Sequence, residues 1–149
     1  MQPTIKIVFI VTLAIYITSC AMAVPFIQAF KSMGITPADR KAKFEPVFKK
    51  FTQALYWGNA QEALSYASDD AKPALLEVAR RIASGKERIT ETKMLLADFS
   101  EYGSEVTVNV MIKSYRVPVY VVVERQESQK WEYSTTDSWQ LIDIKEVKE

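Results

Sequence analysis

Residues 36–68 read TPADRKAKFEPVFKKFTQALYWGNAQEALSYAS, and this stretch decides what the rest of the chain must supply. Phe44, Val47, Phe48, Phe51, Ala54 and Leu55 recur at steps of three and four, which puts them on one face of a helix. Arg40, Lys41, Lys43, Lys49 and Lys50 fall mostly off that stripe and read as a solvated face. Thr36 can cap the helix, Pro37 suits its first turn and Asp39 favours the positive end of its dipole. Gly58 permits the left-handed residue that ends it. Asn59 and Glu62 then start a second helix as a capping box, with Ala60, Ala63, Leu64 and Ala67 as its narrow inner face. Each large side chain of such a face stabilises a fold by roughly 1.5–3 kcal/mol, but only against an apolar partner.

The chain supplies that partner after Gly85. Ahead of it, Ser68-Asp69-Asp70 opens a third helix carrying Leu75, Val78, Ala79 and Ile82 on one side, with Pro73 in the first turn. Beyond Gly85 the period falls from near 3.6 to near 2. Ile89–Phe99 reads as a strand, with Leu95, Ala97 and Phe99 on one side and Thr92, Met94 and Leu96 on the other. Val106, Val108, Val110 and Ile112 alternate inward in the next strand. Ser114–Val117 is open between turn and bulge, and Pro118 marks a strand start or an edge. Val119–Glu124 reads as strand, Gln126–Gln129 as a polar hairpin loop, Lys130–Thr135 as the returning strand and Trp139–Val147 as the last. The expected class is α+β: three N-terminal helices packed on a curved antiparallel sheet of four to five strands, preceded by an apolar leader.

Residues 7–30 carry no charge, and Lys6 and Lys31 bracket the run. Three readings of this leader stay open. Ile17-Thr18-Ser19-Cys20 resembles a bacterial lipoprotein box, which makes Cys20 a candidate lipidation site. Ala21-Met22-Ala23 is an A-x-A cleavage site. An uncut run of this length also suffices to anchor a chain, since about 20 apolar residues cross a bilayer. The expected division is 1–30 signal peptide or anchor, 31–35 tether and 36–149 folded domain. All three readings put the domain outside the cytoplasm, in the cell envelope, with a membrane-anchored form facing the periplasm expected over the freely secreted protein that the A-x-A cut would release.

The 149 residues are 48% hydrophobic and 25% charged, the composition of a packed domain and not of a disordered one. Beyond residue 30 the chain balances 18 basic against 18 acidic groups, so no long-range field gathers nucleic acid. Histidine is absent and Cys20 is the only cysteine, which argues against zinc sites, histidine-based acid–base chemistry and internal disulfides. The acids are scattered without calcium-loop spacing, so neither a metal nor a cofactor is expected.

Two segments resemble the NTF2-like (nuclear-transport-factor-2, cystatin-like cone) superfamily. Phe51 to Leu64 is similar to the end of its first helix, where a glycine and a small polar residue precede a short second helix. Trp139-Gln140-Leu141-Ile142-Asp143-Ile144 is similar to its closing strand. The resemblance covers roughly Thr36 to Lys148 and implies a cone of helix and sheet. It spans isomerases, dehydratases, polyketide cyclases, transport factors, subunits of secretion machines and small lipoproteins, so it implies a fold more than a function. The family's enzymes use acids, tyrosines or histidines inside the cone. No residue here matches an isomerase's base or oxyanion pair, and no catalytic residue is carried over.

Within such a cone, Tyr56 and Trp57 would border the mouth, and Trp139 and Asp143 would share the inner side of the last strand, where Asp143 could serve as a base. Those four are the candidate ligand-binding residues. Tyr120, Val122, Trp131 and Tyr133 are the candidate docking residues of the outer sheet face, toward an envelope protein or a second copy of the chain. The leading reading is a non-catalytic, membrane-tethered binding domain. The alternatives are a peripheral or assembly subunit of an envelope complex and a small-molecule isomerase or lyase using Asp143 with a tyrosine. An open apolar cavity would favour the enzyme, and a filled cone with an exposed apolar patch would favour docking.

Overall fold

The structure is a computed structural model that describes residue 34, residues 36–136 and residues 138–147. Cys20 and the leader lie outside the described residues. The chain divides into two units, and the second, Thr36–Glu149, holds all the described helices and strands. Helix α1 spans Pro37–Trp57, α2 Ala60–Ser65 and α3 Lys72–Ala83, ahead of strands β1 (Glu87–Phe99), β2 (Glu105–Arg116), β3 (Val122–Ser134) and β4 (Ser138–Val147). The four strands form one antiparallel meander in the order β1-β2-β3-β4. No helix among the described residues is long and apolar enough to cross a membrane.

Helix α1 is capped as its sequence demands. Thr36 Oγ1 accepts from the Asp39 amide at 3.2 Å, and Gly58 closes the far end at φ 74°. Pro46 sits on the exposed side, where the missing amide disturbs no packing. At α2, Asn59 Oδ1 accepts from the Glu62 amide, while the Glu62 carboxylate accepts from the Asn59 side-chain amide at 2.8 Å. The linker to α3 pairs with β4: Leu141 donates its amide to Tyr66, and Ser68 donates back to Leu141.

The expected helical stripe is buried almost as written, through Phe44, Phe48, Phe51, Ala54 and Leu55. It packs on Val106, Val108, Val110 and Ile112 of β2 and on the indole of Trp131. Phe44, Phe51 and Phe48 set their rings around Trp131 at 5.6, 5.0 and 6.2 Å, all edge to face. Trp139 is buried beside them and donates Nε1 to the Arg40 carbonyl at 2.9 Å.

Three expectations give way in the sheet. Gln126–Gln129 is not a hairpin loop; it is the middle of the continuous strand β3, so the sheet has four strands. The hairpin turn lies earlier, at residues 117–121. A bulge between Met94 and Leu96 resets the phase of β1, so Met94, Ala97 and Phe99 face the core while Leu95 and Leu96 are exposed. A bulge at Ile142 does the same in β4. Leu141 pairs with the buried Trp131, but Asp143 pairs with the outward Lys130, so Asp143 leaves the side that holds Trp139 and Leu141.

Candidate functional site

The inward row of β3 reads Arg125, Glu127, Gln129, Trp131 at two-residue steps, and each member bonds the next. Trp131 Nε1 donates to Gln129 Oε1 at 3.3 Å, Gln129 Nε2 to Glu127 Oε2 at 3.3 Å, and Arg125 Nε to Glu127 Oε1 at 3.0 Å. Polar side chains survive at buried positions here because their neighbours satisfy them. The row thus runs from an aromatic core into a charged cluster.

That cluster centres on Glu87, which is 2% exposed at the start of β1. Its carboxylate accepts from Arg125 Nη1 at 2.5 Å, Ser114 Oγ at 3.0 Å and Arg81 Nε at 3.1 Å. Burial works against its ionisation. The bonds and charge of Arg125, with the bonds from Arg81 and Ser114, outweigh burial and hold the carboxyl below the ordinary glutamate range. Arg125 is likewise opposed by burial and is held protonated by Glu127 and Glu87.

One donor is left over. Arg125 Nη2 is buried and has no hydrogen-bond partner among the described residues. The guanidinium borders a cavity of about 370 Å³ whose wall includes Val78 and Arg81 of α3, Ser114 of β2, Arg125 and Glu127 of β3, and Ile144 of β4. An unpaired buried donor beside open volume is an arrangement that an acceptor-bearing ligand would complete.

The residues expected to form a ligand site do not come together. Tyr56 and Trp57 stack edge to face at 5.1 Å at the end of α1 and border a separate hollow with Arg88 and Tyr115. Trp139 is core filling. Asp143 faces outward and pairs with Lys145 at 2.5 Å, which removes it from the cone interior. Of the expected docking residues, Tyr120 and Val122 are exposed, Trp131 is fully buried, and Tyr133 is half-buried against Trp139. Trp131 lies on the inner face because β3 is a single strand whose phase is set from Arg125 onward. The cluster that the sequence reading missed carried a signal: Arg, Glu, Gln and Trp at alternate positions, each able to bond the next.

No protein-family model matches the chain, and no curated protein matches its sequence. Solved structures do. A cystatin-like domain of unknown function from Nostoc punctiforme superposes with a TM-score of 0.58 at 9% identity, over 73% of this chain and 76% of that one. A ketosteroid isomerase-like protein from Erwinia carotovora atroseptica gives 0.54 at 15% identity, over 72% and 96%. A SEC-C motif-containing protein from Rhodopseudomonas palustris gives 0.52 at 13%, over 65% and 73%. The fold is an α+β cone like that of the cystatin-like and ketosteroid isomerase-like structures. At these identities the likeness is one of fold alone.

Proposed function

We propose that this cone is a non-catalytic binding domain, tethered to a membrane of the cell envelope, which takes a small molecule by a carbonyl or carboxylate oxygen at Arg125. The observation that carries the binding reading is the buried, unpartnered Arg125 Nη2, on a side chain that lines the cavity. The tether and the envelope location rest on the uncharged run of residues 7–30 and on Cys20.

The chemistry of the cavity favours holding over turnover. A general acid needs a carboxyl kept protonated near neutral pH, whereas Glu87 is pushed the other way. A general base works best through an oxygen unengaged by the protein, whereas both oxygens of Glu87 and of Glu127 already accept hydrogen bonds from it. Four charges that satisfy one another form a rigid recognition surface.

The test is titration of the full chain with butyrate and with methyl butyrate, read by calorimetry and by the Arg125 guanidinium ¹⁵N resonances. The expected result is saturable binding by at least one of the two, with the Arg125 signals moving and no heat in Arg125→Met. Saturable binding that leaves the Arg125 signals still would reject the assignment, as would no binding by either probe.

The ketosteroid isomerase-like neighbour favours one second reading, a small-molecule isomerase. With Asp143 facing outward, its base would have to be Glu127, released from Arg125 on binding. Proton exchange at the α-carbon of an added enolisable ketone, lost in Glu127→Gln, would establish that reading over the first.

A further inference from the structure

The turn between β2 and β3 is apolar on both of its faces. Val117, Val119, Tyr120, Val121, Val122 and Val123 are all exposed, and residues 113–123 contain no acid. Val119, Val121 and Val123 line a hollow on one side. On the other, Tyr120 lies 5.7 Å from Tyr115, which is the cross-strand partner of Val122. An exposed apolar patch of this kind marks a protein or a membrane contact. A ribbon apolar on both faces suits a medium that surrounds it.

The collar of this ribbon is cationic. Lys86 accepts the Val117 amide at 3.1 Å through its carbonyl, so its side chain leaves the backbone at the base of the turn. Exposed Arg88 and Arg116 stand with it, and none of these three cations has an ion pair among the described residues. Trp57, 77% exposed, sits with Tyr56, Arg88 and Tyr115 at the same end of the domain. Arg116 borders the hollow of the tip valines and Arg88 that of the aromatics, so one end of the domain gathers the apolar, aromatic and basic side chains that suit acyl chain, interface and anionic headgroup.

We infer that this hairpin tip dips into the interfacial zone of an anionic lipid bilayer, a contact separate from the leader. The insertion is shallow, since only about five to seven residues project and apolar elements of this kind bury about 5–10 Å into the headgroup boundary.

The leader alone could hold the full chain on a vesicle, so the test reads depth at the tip. Full-length protein carrying Trp57→Phe with either Val121→Trp or Tyr120→Trp is mixed with phosphatidylglycerol vesicles containing acyl-brominated lipid. The two reporters sit on opposite faces of the ribbon. Emission from both is expected to shift to the blue and to fall at least twofold with bromine. Arg88→Glu with Arg116→Glu should abolish most of that quenching. Emission indifferent to bromine at either position overturns the inference. So does a blue shift that grows with protein concentration in the absence of lipid, which would assign the tip to a second copy of the chain.

Discussion

Glu87 concentrates the electrostatic consequences of the fold in one side chain. Its folded pKa lies below its unfolded value, which is about 4.3 for an ordinary glutamate. The native state therefore binds fewer protons than the unfolded state across the acid range. The stability this confers is present above the unfolded pKa and drains away as pH falls through the folded one. Glu87→Gln should cost about 3 kcal/mol at pH 7, because Arg125 and Arg81 lose their shared counter-charge. Urea midpoints of wild type and variant should converge as pH drops below 4; a gap unchanged between pH 7 and pH 3 would contradict the ion-pair account. Phe51, fully buried against Trp131 and Tyr66, belongs to the other kind of core. Phe51→Ala should destabilise by about 3–5 kcal/mol at any pH, as read from the same urea curves. That residue was legible as core from its spacing. Glu87 was not, because a lone acid at a strand start looks solvated until Ser114 and Arg125 are brought to it from positions 27 and 38 residues away.

Elements were readable where one period held throughout. The α1 stripe and the valine alternation of β2 each keep a single phase, and both are buried as that phase requires. Phase was lost at Leu95 and Ile142, where a bulge inserts one residue without any mark of glycine or proline. Strand β3 failed for a different reason. Its centre is polar on both faces, and the reading that polar means loop ignores hydrogen bonding among inward neighbours. Turn chemistry gives a sharp check at this scale. Gly103 has φ 60°, and a Cβ there would lie 2.9 Å from the Pro37 carbonyl oxygen and 3.1 Å from its Cα. Gly103→Ala must shift the β1–β2 turn away from the start of α1, at a cost of about 1–3 kcal/mol. Thermal denaturation should register it, whereas an unchanged melting point would mean that turn and helix are not in contact.

At the scale of the whole molecule, balanced charge and a filled aromatic core leave two unusual features: a small charged cavity and a greasy hairpin. The alternation of Arg125, Glu127, Gln129 and Trp131 hints at the first, but its closure joins all four strands with α3, and the second depends on where β2 ends. The proposed tether has its own measurement. Growth with labelled palmitate should mark the chain and lose that mark in Cys20→Ser; an unmarked wild-type chain in the membrane fraction would favour the uncleaved anchor. The pairing of the α2–α3 linker with Leu141 has a further bearing on how such a valine-rich chain survives at high concentration. It occupies amide and carbonyl on the β4 margin, while the irregularities near Thr90 and Leu95 break up the β1 margin. Each border is thereby interrupted at a named point, which shortens the straight run of vacant donors on which another molecule could stack.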